Sequence, residues 1–215
     1  MSVDVGGLTY AVDADFRTMI EVEHLLMGRD TLPEQEAFAK EIMGYNPELS
    51  FEDACKNAKC QEALRLFYKD NIPEDLEGAV DRMIWFYGCG KEDKDTGGKK
   101  SSKTVYSYKH DFDYIAAGFL QDYKLDILDI GFLHWWKFTS LFSALKDDCK
   151  IREIMAYRGT DLKNLDKEQR KHVREMQKLY ALPECEMSKE EEELKNRVRE
   201  ALLNGGDVDA VLKNG

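Results

Sequence analysis

Cysteine pairs, clustered histidines, long apolar runs and a positive charge balance are all missing from this sequence. The five cysteines, Cys55, Cys60, Cys89, Cys149 and Cys185, are odd in number and irregularly spaced, and none forms C-x-x-C. That argues against a disulfide framework and a cysteine-built zinc site, and fits reduced thiols in a cytoplasm. The four histidines, His24, His110, His134 and His172, form neither H-x-x-x-H nor H-E-x-x-H, so no metal is expected. No stretch approaches the roughly 18 apolar residues of a membrane span. The opening "MSVDVGGLTY" lacks the basic and apolar regions of a secretory leader. With 42 acids against 31 bases, the formal charge is −11. This balance opposes broad contact with nucleic acid or anionic membranes, which requires a basic face.

Catalytic patterns are equally scarce. "GCGKEDKDTGGKKSSK" has the glycines and lysines of a phosphate loop but not the required G-x-x-x-x-G-K-[ST]. Lys100 follows Gly98-Lys99, and Asp93 stands where the first glycine should be. Lys91, Lys94, Lys99, Lys100 and Lys103 are largely offset by Glu92, Asp93 and Asp95, which makes a weak nucleic-acid signal. Neighbouring carboxylates, as in "PEDLE" and "KEEEE", suit helix starts and solvated faces. Acid/base catalysis needs two acids in a shared dry pocket. No G-x-S-x-G elbow occurs, and no cysteine sits in an evidently activating setting. The sequence therefore points away from an enzyme and offers no catalytic or cofactor-binding residue.

What remains is helix. With 43% hydrophobic and 34% charged residues, the chain has the composition of a folded protein. "VDV", Gly6-Gly7 and "LTYAV" read as an N-terminal β-hairpin. Helical spacing follows from Asp15, with Phe16, Met19, Ile20, Glu23 and Leu26, ending at Gly28. Thr31 and Glu34 suggest a capping box around Pro33, and Ser50 with Asp53 suggests another start. A helix from near Pro73 is expected to bury Leu76, Val80, Met83, Ile84 and Tyr87 and to stop at Gly88. Residues 90–104 contain no large apolar side chain and read as a mobile loop. Beyond it Phe112, Ile115, Ala116, Phe119 and Tyr123 share one face. Two more helices run through "DDCKIREIMAYRG" and "DKEQRKHVREMQKLYALP", the latter ended by Pro183.

The segment "FLHWWKFTSLF" places Leu128, Phe132, Trp135, Trp136, Phe142 and Leu145 on a broad helical arc. Such an arc suits a central bundle helix, with Trp136 and His134 using ring N–H groups inside. A partner patch or a base-stacking platform are the alternatives, the last lacking a basic groove. The expected fold is thus mainly α: a helical bundle-like single domain over residues 1–183 with a small N-terminal β-hairpin. A charged C-terminal helical extension over 184–215 carries the thin apolar stripe Leu194, Val198 and Leu202. That stripe lacks an obvious partner within the chain and is the candidate partner-binding site.

Several stretches, in order, resemble the bacteriophage gene product fifteen family. They are "DADFRTMIEVEHLL", "IPEDLEGAVDRMIWFYGCGKED", "FDYIAAGFLQDYKLDI", "LHWWKFTSLFSAL" and "IMAYRGTDLKNL…REMQKLYALP". The resemblance runs from about Asp13 to Pro183 and leaves out "MSVD" and the last thirty or so residues. It implies a protein of tailed phages and prophages, encoded in the tail-morphogenesis block beside the tape-measure gene. A tail assembly chaperone acting on the tape-measure protein in the host cytoplasm is the expectation it carries. A structural component of the tail or neck is the alternative. The resemblance brings no catalytic residue, metal or cofactor with it.

Overall fold

Two glycines set the first turn. Gly6 and Gly7 have φ of 57° and 81°, the positive pair that a two-residue hairpin turn demands. Strands β1 (Ser2–Val5) and β2 (Leu8–Ala11) pair antiparallel around them, with Ser2 opposite Ala11 and Val5 opposite Leu8. Val3 and Val5 point into the core while Ser2 and Asp4 face out, as strand alternation requires. The computed structural model describes residues 1–28, 31–91 and 104–183, all within one compact unit, Met1–Pro183.

After the hairpin, the described residues form helices α1 (Phe16–Met27), α2 (Pro33–Tyr45), α3 (Phe51–Tyr68), α4 (Leu76–Tyr87), α5 (Phe112–Tyr123), α6 (Trp135–Ser143), α7 (Lys150–Gly159) and α8 (Lys167–Leu179). The mainly α expectation holds. Asp15 caps α1 by accepting from the Arg17 N–H at 3.0 Å, and Ser50 caps α3 by accepting from the Asp53 N–H at 3.1 Å. Helix α2 departs from its expected cap. Its N-cap is Leu32, not Thr31, and the Gln35 side chain accepts from the Leu32 N–H at 3.0 Å. Pro33 opens the helix where its missing N–H costs nothing.

Helix faces differ from the sequence expectation in two places. On α1, Val22 and Leu25 are buried while Leu26 is exposed. On α4 the buried residues are Ala79, Met83 and Phe86, whereas Leu76 and Ile84 are exposed. The small Ala79 faces inward because α3 crosses closely there: the Tyr68 hydroxyl donates to the Ala79 carbonyl at 2.9 Å. Burial pushes the Tyr68 hydroxyl up to about 12.

The core is built around Phe138. Its ring stacks on Phe16 at 4.7 Å, Phe119 at 5.2 Å and Trp135 at 5.7 Å between centroids, separations that suit offset aromatic pairs. Helix α3 serves two layers. Ala63, Leu64, Phe67 and Tyr68 enter this core, while Ala54 and Cys55 join Ala39 of α2 in a smaller cluster. Helix α2 is thus an outrigger held mainly by the first half of α3.

Candidate functional site

The segment "FLHWWKFTSLF" is only partly helical. Helix α6 begins at Trp135, so Leu128 and Phe132 lie before it and are exposed. His134 is its N-cap, and its Nδ1 accepts from the Trp136 N–H at 3.1 Å. His134 is therefore an acceptor here. Burial and the nearby N-terminal ammonium hold its imidazole below the ordinary range. The helix starts there because the chain first pairs with the entry to α1. Phe16 N–H donates to the Leu133 carbonyl at 2.9 Å, and Trp135 N–H to the Ala14 carbonyl at 2.8 Å. Asp15 also accepts from the Leu133 N–H at 3.1 Å.

Both tryptophans are spent on the end of α4. Trp135 Nε1 donates to the Tyr87 carbonyl at 2.9 Å, and Trp136 Nε1 to the Phe86 carbonyl at 2.8 Å. Both carbonyls lie at a helix C-terminus, where intrahelical donors run out; Phe86 also accepts from the Cys89 N–H at 3.0 Å. Trp135 is buried and Trp136 half-buried, and their rings pack on Tyr87 and Phe86 of α4. Gly90, at φ 72°, lies between the rings: a Cβ there would sit 3.1 Å from Trp136 and 3.2 Å from Trp85. Cys89 Sγ and Thr139 Oγ1 add a contact at 3.1 Å. "WFYGCG" and "HWWKFT" thus form one interlocked joint, not a ligand site.

A second joint is electrostatic. Arg158 of α7 donates to both carboxylate oxygens of Asp111, at 2.6 and 2.9 Å, and both residues are buried. The same guanidinium donates to the Tyr180 carbonyl at 2.6 Å and the Val105 carbonyl at 3.1 Å. This planar fork matches bidentate carboxylate geometry in a way lysine does not.

Asp122, Asp148 and Cys149 bring three potential metal ligands within 4.8 Å of one another. Two of the three are otherwise engaged. Asp122 accepts from the Lys146 N–H at 2.8 Å and is hydrogen-bonded by the Cys149 thiol. Burial, with that bond, pushes the thiol up to about 11, so it stays protonated. The group fastens the turn between α6 and α7.

An apolar cleft lies beside α1. It has a volume of about 470 Å³ and is walled by Ile20 of α1, Leu66 of α3, Tyr108, Phe112 of α5, Ile127 and Leu128. Arg17, Glu21 and Lys109 stand at it. Leu66 and Leu128 are exposed, 40% and 64% accessible. Arg17 is committed elsewhere: it pairs with Asp15 and donates to the Ile127 and Ile130 carbonyls. A hollow of about 600 Å³ beside α7 is lined by Asp147, Arg152, Glu153 and Tyr157 with fewer apolar groups. Arg152 and Asp147 already pair there at 3.2 Å. The apolar cleft drew no attention in the sequence because its walls come from segments far apart in the chain. Leu194, Val198 and Leu202, the expected partner stripe, lie outside the described residues, as does most of the 90–104 segment read as a mobile loop.

A family model described as Bacteriophage Gp15 protein matches residues 1–182. The chain belongs to that family. The match begins at residue 1 and so takes in the hairpin, including "MSVD". In this Gp15-family chain the matched residues include both halves of the tryptophan joint. No curated protein and no solved structure matches the chain. Family membership supports a phage structural or morphogenesis protein. Among the described residues, no helix is long and apolar enough to cross a membrane.

Proposed function

We propose that this protein is a non-enzymatic tail assembly chaperone that holds the tape-measure protein in the host cytoplasm before it is packed into the tail. The apolar cleft beside α1 carries this reading. Its walls are built on α1, α3 and α5 and on the connections before and after α5, and its rim exposes Leu66 and Leu128. An amphipathic helix is recognised by such a groove through apolar anchors spaced one turn apart. The expected partners are the tape-measure protein and other tail proteins, with no nucleic acid, membrane, metal or cofactor required.

The test is co-expression with the tape-measure protein. The chain is expected to keep that protein soluble and to co-purify with it. Leu66→Asp combined with Leu128→Asp is expected to abolish the complex while circular dichroism stays unchanged, since both side chains are exposed. Absence of any complex with the unaltered chain would sink the proposal. The alternative, a structural component of the tail or neck, makes the opposite prediction for purified particles. Mass spectrometry would then find the chain at fixed copy number, whereas a chaperone is absent.

A further inference from the structure

Helix α8 departs from the acidic character of the chain. Lys167, Lys171, Arg174 and Lys178 are all exposed. At about 100° per residue they fall within an arc of roughly 60°. Glu168 and Glu175 lie to one side of that ridge. No ion pair joins any of the four cations to another described residue. The helix buries no residue fully. It is seated through Gln177, which donates to the Tyr157 and Thr160 carbonyls at 2.9 and 3.0 Å. The His172 ring also packs against Tyr157 of α7, and the exposed ridge lies on the solvent side of the helix. Like charges three and four residues apart disfavour a helix, an effect that Glu168 and Glu175, at that spacing from Lys171 and Lys178, only partly offset; Lys167 in the first turn opposes the helix dipole, though Glu168 there and Lys178 in the last turn suit it. A ridge so arranged is stabilised by carboxylates from outside.

The outer face of α2 supplies the complementary pattern. Glu34, Glu41 and Tyr45 are exposed on one side of that helix, Tyr45 at 85% accessible. Glu34 and Glu41 are two turns apart, about 10.5 Å along the axis. The same interval separates Lys167 from Arg174, and Lys171 from Lys178. Neither glutamate is ion-paired to a described residue. Tyr45 on α2 and Leu179, exposed at the end of α8, add apolar contact to the charged faces. Nucleic acid fits less well: four cations contact few phosphates, and the chain's −11 charge opposes approach.

We infer that the ridge of α8 docks on the outer face of α2 in a second copy of this chain. The contact is heterologous, two different patches meeting, so copies add head to tail into a ring or an open array. Charge complementarity sets its register and its salt dependence.

Sedimentation velocity of the full chain at rising concentration tests this. Mass above the monomer is expected at low salt and should decline as salt is added. Lys171→Glu with Arg174→Glu should weaken association more than about tenfold, as should Glu34→Lys with Glu41→Lys. Mixing the two reversed proteins should restore assembly, because each then offers the face the other lacks. Circular dichroism confirms that both variants remain folded. A wild-type chain that stays monomeric throughout would overturn the inference. So would reversals that leave association unchanged, or a mixture that fails to restore it. Double-stranded DNA provides a further arm: if the α8 reversal removes DNA binding while self-association persists, the ridge belongs to nucleic acid and the inference is wrong.

Discussion

Replacing Arg158 with methionine isolates the most consequential polar contact in the fold. The substitution keeps an unbranched apolar stem but removes four hydrogen bonds, two to Asp111 and one each to the Tyr180 and Val105 carbonyls. Asp111 is buried and keeps only the Ser107 N–H, at 2.9 Å, to solvate its carboxylate. Removing one partner of a buried ion pair costs about 3–5 kcal/mol, mostly from the charge left behind. For a domain of this size each kcal/mol moves Tm by about 2–4 °C, so a loss of about 6–20 °C is expected. Urea unfolding followed by far-UV circular dichroism measures the same quantity. The companion Arg158→Met with Asp111→Leu removes both charges. It should recover much of the loss and retain a deficit of about 2 kcal/mol for the two unpaired carbonyls. The reasoning is refuted if Arg158→Met costs less than about 1 kcal/mol, or if the double variant is no more stable than the single one.

Three other outcomes follow from the same geometry. Trp135→Ala opens the core beside Phe138 and strips the Tyr87 carbonyl of its donor, so a loss of about 3–5 kcal/mol is expected in urea titrations. Gly90→Ala forces an L side chain into left-handed backbone at about 1–2 kcal/mol and crowds Trp85 and Trp136, so tryptophan fluorescence should shift along with stability. Glu23 is raised above the ordinary carboxyl range by burial, an effect that its hydrogen bond with Tyr87 only partly offsets. Ionising it therefore opposes folding: its contribution is full below about pH 4.3 and is lost as pH rises through the higher folded value. Glu23→Gln should consequently stabilise the protein at neutral pH and make no difference in acid, as read from Tm across a pH series.

How much of this was legible beforehand depended on the range of the interaction involved. The hairpin was readable because Gly6-Gly7 dictates a turn locally. The start of α3 was readable because Ser50 and Asp53 cap it within one turn. Helix faces were harder. On α4, Leu76 and Ile84 looked like core by hydrophobicity, yet Ala79 takes the inner position because Tyr68 of another helix lies against its backbone. Apolar residues need not all be inside, and only the neighbour decides which are. Helix α6 is shorter than its apolar spacing suggests for a similar reason: the pairing of residues 133–135 with Ala14 to Phe16 holds extended a stretch whose spacing alone suits a helix. The cleft beside α1 and the basic ridge of α8 differ again. The cleft requires four distant segments to meet, whereas the ridge is local. It is masked in the sequence by the −11 average charge and by the denser lysines near residue 100.

The pairing between the entries to α1 and α6 also bears on synthesis. Asp15 and Leu133, which it joins, are separated by 118 residues. At roughly 5–20 residues per second, a ribosome takes about 6–24 s to cover that distance. For most of that interval the Phe16 ring has left the ribosome while its stacking partner Phe138 does not yet exist. The nascent chain therefore carries an uncovered aromatic face for most of its translation, and its yield in a cell should respond to elongation speed and to holdase supply well before any effect on the finished protein is felt.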